Sequence, residues 1–272
     1  MLDERTARRL NRAYWDSLAA VHGADAVYDD EALIAGADTL DDLVATGIRE
    51  AVGAVAGLDV IHVQCHIGHD TISLARRGAR VTGVDFSPAS LARARELARR
   101  SEVAVDFVEA DSTALPVELH NRFDLAFATI GVICWIGDVE AWMRSVAAVL
   151  RPGGRLLLVD FHPLFQMFDS VDPLVTDFPY ANDGGRAFDL DGSYADPAAR
   201  LAATESVQYG HSLGELDTAA VQAGLRVERL DEHLDLEHDQ RRLLAQEDDG
   251  RYRLRLGAEA LPLAFTLIAR RP

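Results

Sequence analysis

At 272 residues and 29.7 kDa, with 49% hydrophobic residues, the chain can bury an extensive core as one large domain or two small ones. Its 27 basic against 44 acidic residues leave a formal charge of −17, which repels nucleic-acid phosphates and anionic membranes. Arg93, Arg95, Arg99 and Arg100 read as the solvated face of a helix, so no nucleic-acid or membrane partner is expected. Two cysteines, Cys65 and Cys134, give no disulfide framework, the first dozen residues lack the apolar core of a signal peptide, and no stretch reaches the ~20 apolar residues of a spanning helix. A cytoplasmic, reducing location is the expectation.

In chain order, Leu10, Tyr14, Leu18 and Val21 recur at helical spacing. A second helix is expected over residues 40–55, capped by Asp38 or Thr39. Short β-branched runs then alternate with helices. Strands are expected at 59–64, 80–84, 104–109, 123–128 and 155–160, with helices at 71–76, 88–100 and 139–150 between them. Ser87 suits an N-cap with Pro88 in the first turn, and Arg151-Pro152-Gly153-Gly154 reads as a turn. Residues 163–209 break the rhythm, and their aromatics favour a packed lid. A helix at 213–223 ending on Gly224, and strands at 225–230 and 261–269 around a charged insertion at 237–255, close the chain. Such alternation implies an α/β fold, a mostly parallel seven-stranded sheet with helices on both faces, whose ligands bind at the carboxyl ends of the strands. The expected units are an N-terminal helical cap (1–57), a cofactor-binding core (58–162), a lid or substrate insertion (163–210) and a C-terminal completion of the sheet (211–272).

Three strand ends carry chemistry. After the first strand, Gln64-Cys65-His66-Ile67-Gly68-His69-Asp70 forms a tight turn into a helix, where backbone N–H groups can approach a cofactor. Asp85, in Gly83-Val84-Asp85-Phe86-Ser87, ends the second strand and offers two acceptor oxygens to the vicinal hydroxyls of a ribose. It also fits a loop acid beside a helix cap. Asp111, in Glu109-Ala110-Asp111-Ser112, can accept an adenine amine, and equally well caps the short helix after it.

These features together resemble the class I S-adenosylmethionine-dependent methyltransferases over roughly residues 60–160, joined by Phe123-Asp124 and Leu150-Arg151-Pro152-Gly153-Gly154. The first turn of that superfamily usually carries an acid and three alternating glycines, where this chain has His62, Gln64, His66 and Gly68. The run Gln-Cys-His-x-Gly-x-Asp-Thr looks like a bacterial small-molecule subgroup, as do Tyr14-Trp15-Asp16, Gly131-Val132-Ile133-Cys134-Trp135, His162-Pro163, His211-Ser212-Leu213-Gly214-Glu215 and Gly250-Arg251-Tyr252. The resemblance implies a Rossmann-like fold with S-adenosylmethionine as cofactor and a small-molecule methyl acceptor. It places Gln64, Cys65, His66 and Gly68 along the methionine part, Asp85 on the ribose, and Phe86 beside the adenine. Asp111 and Ser112 take the adenine edge, Thr129 and Ile130 lie near the sulfonium and the acceptor, and Tyr14 closes over the cofactor.

An acceptor that loses a proton benefits from a base near neutral pKa, and His162 and His211, at the catalytic edge, are the expected base or orienting groups. Either can instead be a hydrogen-bonded histidine fixing a loop. No metal is expected: His62, Cys65, His66 and His69 are dense, but along a strand and turn their side chains diverge. A dehydrogenase is disfavoured by the missing G-x-G-x-x-G. An enzyme of the same cofactor but another reaction, or a non-catalytic binding regulator, stays open until methylated product is sought. An amphipathic N-terminal helix can serve a homodimer.

Overall fold

The computed structural model describes residues 3–23, 25 and 27–272. Residues 1, 2, 24 and 26 of the expected N-terminal cap lie outside it. Helices α1 (Glu4–Val21), α2 (Asp30–Ile34) and α3 (Asp42–Val52) open the chain. The core follows as β1 (Asp59–Val63), α4 (His69–Arg76), β2 (Arg80–Asp85), α5 (Pro88–Arg100), β3 (Val105–Glu109), β4 (Phe123–Thr129), α6 (Val139–Val149) and β5 (Leu150–Phe161). Next come α7 (Pro163–Gln166), the hairpin β6 (Phe168–Val171) and β7 (Leu174–Thr176), and the pair β8 (Arg186–Asp189) and β9 (Glu205–Gln208). Helix α8 (Leu213–Gln222), β10 (Arg226–His233), the hairpin β11 (Leu254–Leu256) and β12 (Glu259–Leu261), and β13 (Ala264–Arg270) complete it.

Seven strands form one sheet in the order β10-β13-β5-β4-β1-β2-β3, and β13 runs antiparallel to both its neighbours while the rest are parallel. The chain leaves β1 for β2 on one side and later returns to β4 on the other, which opens a crevice at the carboxyl ends of these strands. The central strands are apolar at nearly every position because both faces are covered. On β4 and β5, Ala126, Ala128, Leu156 and Leu158 pack under α6 and α8, whereas Leu125, Phe127, Leu157 and Val159 pack against α3. Within the described residues no helix is long and apolar enough to cross a membrane.

Several expectations are corrected. Asp41, not Asp38 or Thr39, caps α3, accepting from Val44 N at 2.8 Å. The Arg-Pro-Gly-Gly segment is no separating turn: Phe123 pairs with Leu150 and the ladder resumes at Leu125 and Arg155, so it loops out of a longer β5. Gly154 is required there, since a Cβ would lie 2.8 Å from the Phe123 carbonyl oxygen. The apolar face of α1 packs within its own chain, with Leu18 and Tyr14 buried and Asn11 bonded to both backbone groups of Val207 on β9. Arg93 is no solvated side chain; it pairs with Asp30 at 2.6 Å and donates to the Ala19 carbonyl.

At the end of β5, Asp160 is fully buried and accepts from four backbone N–H groups, those of Gly131 (2.6 Å), Val132 (3.1 Å), Ile133 (2.9 Å) and Phe161 (2.7 Å). Burial pushes the carboxyl up and the N–H donors pull it down, burial being the larger effect. This one side chain fixes the loop after β4. Asp160→Asn keeps the shape but sets an NH2 group against N–H donors, and should cost about 3 kcal/mol by chemical denaturation. Wild-type stability in that variant would mean the loop is held by something else.

Candidate functional site

The strand-order reversal determines where the site lies. A cavity of about 580 Å³ opens over the carboxyl ends of β1, β2, β3 and β4, roofed by α1, the segment around Tyr28 and residues 238–252. That volume suits a ligand of drug or cofactor size.

The turn after β1 forms the floor. Gln64 (φ 61°), His66 (φ 48°) and Gly68 (φ 83°) all lie in the left-handed region, alternating along the turn. Glycine adopts this conformation freely, whereas a side chain costs roughly 1–2 kcal/mol per residue. Gly68 cannot be replaced as easily, since a Cβ would meet Ala94 Cβ at 2.9 Å. The two side chains that do stand there are tied down. The Gln64 amide accepts from Trp142 Nε1 at 2.9 Å and donates to the Val132 carbonyl at 3.0 Å. His66 Nε2 lies 2.8 Å from His22 Nδ1, His66 Nδ1 lies 3.1 Å from Ser90 Oγ, and His22 Nε2 lies 2.6 Å from Ser193 Oγ. Two neutral imidazoles, each with one N–H, complete this chain with every link satisfied. Burial is the main cause holding them neutral, taking His22 down to about 4 and His66 well below its usual value.

Asp85 faces the cavity from the end of β2. Its Oδ2 accepts from His66 N and its Oδ1 from Ser87 N, both at 2.9 Å, and burial pushes its pKa up to about 6 against the pull of those N–H groups. Each oxygen keeps a lone pair for a ligand hydroxyl. Asp111 caps the short 3-10 turn at Ser112–Ala114 through Thr113 N and pairs with Arg8 of α1 at 2.7 Å. It therefore serves as a cap and a tether as well as a cavity wall.

Of the residues singled out from sequence, Gln64, Cys65, His66, Gly68, Asp85, Phe86, Asp111, Ser112, Thr129 and Ile130 are brought together around this cavity. Three are not. Tyr14 is buried behind the wall, stacked on Trp135 at 5.7 Å, and its neighbour Trp15 takes the lining position. This follows from helical periodicity, which turns adjacent residues of α1 about 100° apart. His162 caps α7, accepting from Leu164 N, and its Nε2 lies 2.8 Å from Glu232 Oε1. His211 donates from Nε2 to the Ile136 carbonyl at 2.6 Å. Neither histidine reaches the cavity. Both hold loops, and burial lowers both pKa values.

The cavity is also lined by residues not among the expected site residues: Thr39 and Asp70 and, at its far end, His238, Gln240, Arg242 and Tyr252. Of the aromatics in the expected lid, Tyr194 and Tyr209 reach the cavity, whereas Phe165 and Phe168 pack against Leu236, Leu254 and Leu263. Tyr194 is joined to Tyr28 by a 2.6 Å hydroxyl–hydroxyl bond. The dense histidines near the first turn diverge: His62 binds Thr71 Oγ1, His66 binds His22, and His69 binds Asp30.

Residues 60–154 match the family of methyltransferase domains. The demethylmenaquinone methyltransferase of Renibacterium salmoninarum is 30% identical over 143 residues, covering 49% of this chain and 58% of that protein. The ubiquinone biosynthesis O-methyltransferase of Methylobacterium sp. is 35% identical over 114 residues, covering 42% of this chain and 45% of that one. The chain thus spans about half the length of these curated relatives. In fold it is similar to an S-adenosylmethionine-dependent methyltransferase from Mesorhizobium loti, with a TM-score of 0.58 at 21% identity over 88% of this chain and 100% of that chain.

The histidine chain makes a signed prediction. The unfolded chain protonates His22 near 6.5 and the folded one only near 4, so its contribution to stability is present above pH 6.5 and lost as pH falls towards 4. Asp85 acts in the opposite sense, because its raised pKa removes stability as pH rises from about 4 to about 6. Comparing wild type with His22→Gln cancels the Asp85 part. The wild type should lose up to about 3 kcal/mol relative to the variant across that window. Parallel pH profiles would show that His22 is not held neutral.

Proposed function

We propose that the protein binds S-adenosylmethionine across the β1–β4 crevice and transfers its methyl group to a small-molecule acceptor held at the His238–Tyr252 end. The observation that carries this is the convergence of the left-handed turn, Asp85 and the Asp111-Ser112 edge on one cavity inside a methyltransferase-type domain. The residues fit the cofactor: the Asp85 carboxylate has acceptor capacity for ribose hydroxyls, and the tight floor at Gly68 admits close backbone approach. Phe86, Ser112 and the end of β3 would hold the adenine, with Gln64, Cys65, His66 and Gly68 along the methionine arm. When bound, the cofactor supplies an already activated methyl group.

The protein's own work is then alignment and exclusion of water. Trp15, Tyr28, Tyr194 and Trp135 close the cavity with apolar surface, and the loop held by Asp160 fixes Ile130 and Gly131 at the end of β4. His238 lines the far end and has no hydrogen-bond partner among the described residues, which leaves its ring nitrogens available to an acceptor. We assign it, in place of His162 and His211, as the group that orients the acceptor and takes its proton where one is lost. Tyr28, Tyr194 and Tyr252 suit a flat ring, in keeping with the quinone-pathway names of the relatives and with an aromatic specialised metabolite.

Calorimetric titration with S-adenosylmethionine, S-adenosylhomocysteine and NAD tests the cofactor. The first two should bind and NAD should not, and Asp85→Ala should weaken binding at least tenfold by removing both the ribose partner and the support of the turn. No binding of either sulfur nucleoside would end this reading. Transfer of labelled methyl to a panel of aromatic metabolites then separates an enzyme from a binding regulator. His238→Ala should lower turnover roughly a hundredfold for an acceptor that loses its proton, with His162→Ala lowering stability instead. The reverse pattern would return the role to His162.

A further inference from the structure

Among the acidic side chains lining the cavity, Asp70 is held differently from the rest. Asp85 accepts from backbone N–H groups, Asp38 pairs with Arg77, Asp111 with Arg8, and Asp29, Asp41 and Asp239 accept from backbone N–H groups of their own turns. Asp70 receives hydrogen bonds from two side-chain hydroxyls, Thr39 Oγ1 at 2.6 Å on Oδ1 and Thr129 Oγ1 at 3.1 Å on Oδ2. No basic side chain among the described residues forms an ion pair with it. It lies in the first turn of α4, half-buried, and lines the cavity. Thr129, its partner, ends β4 and lines the same cavity.

A half-buried carboxylate with only neutral hydrogen-bond donors is poorly compensated as an anion, and burial pushes its pKa up. A cation entering the cavity would supply what the protein withholds. His62 lines the same region but is buried, neutral and turned to Thr71, so it adds no charge of either sign.

We propose that Asp70 is the counter-charge for the cationic methionine arm of the bound cofactor, meeting its α-ammonium or its sulfonium. This rests on the cofactor reading above. Thr39, from the segment leading into α3, and Thr129, from the sheet, aim the carboxylate between them. Charge recognition in this cavity then comes from a side chain on α4, while the left-handed turn supplies shape.

Three nucleosides distinguish the sources of charge. S-adenosylmethionine carries both the sulfonium and the ammonium, S-adenosylhomocysteine keeps only the ammonium, and 5′-methylthioadenosine has neither. In Asp70→Asn, whose amide can still accept from one threonine and donate to the other, loss of roughly ten- to hundredfold in affinity is expected for the charged ligands. 5′-Methylthioadenosine should bind as it does to wild type. Loss for both charged ligands assigns the ammonium, and loss for S-adenosylmethionine alone assigns the sulfonium. Equal loss for all three, or no loss, would overturn the proposal while leaving the cofactor reading intact. A wild type that binds none of them would remove both. Thermal unfolding of each variant controls for folding, and Asp70→Ser, which removes the charge without introducing an amide, is read in the same way if the first variant does not fold.

Discussion

Asp85 holds two loops at once. Its carboxylate receives the N–H of His66 from the turn after β1 and the N–H of Ser87, which in turn caps α5 through its own hydroxyl. The first of these bonds reaches a residue in the left-handed region, where a histidine is under backbone strain. Without an acceptor aimed at that N–H, the turn between β1 and α4 would have an easier path, and the floor of the cavity would move with it. The sheet makes this possible by pairing β1 with β2 in parallel register, Val63 against Val84, so that the turn and the aspartate emerge side by side.

The same turn shows how side chains can occupy positions that favour glycine. Gln64 spans from Trp142 to the Val132 carbonyl, and His66 reaches His22 and Ser90. Each bond offsets part of the conformational cost and binds the turn to a distant element, α6 in one case and the segment after α1 in the other. Through His22 the chain continues to Ser193, and Tyr28 meets Tyr194 beside it. The segment between α7 and α8 is thereby fastened to the N-terminal helices over the site. Ser17 adds to this by accepting from the N–H groups of Ala202 and Ala203.

The part of the cavity built from strand ends was legible because strand ends are local. A short β-branched run followed by a turn residue places Asp85, Asp111 and Thr129 at one edge of a parallel sheet, whatever the rest of the chain does. The part around His238 and Tyr252 was not. His162 and His211 stand at the correct edge in sequence, but the direction of a side chain depends on its partners, and Glu232 and the Ile136 carbonyl draw these rings away from the cavity. His238 and Tyr252 sit in a charged stretch with no periodicity. Their place over the site depends on long-range ties such as Arg251 to Asp235 at 2.6 Å and the two backbone bonds between Leu236 and Tyr252.

By itself the sequence determined the alternation of elements, the parallel core and the three strand ends, because hydrophobic period, turn residues and helix caps act over a few neighbouring residues. Tertiary structure decided which aromatic of α1 faces the cavity and which histidines are committed to loops. It also set Asp70 between two threonines, 31 and 59 residues away along the chain, on the wall of the cavity. These outcomes come from packing and hydrogen bonding between segments far apart in the chain, and no local pattern records which partner a buried polar group will find.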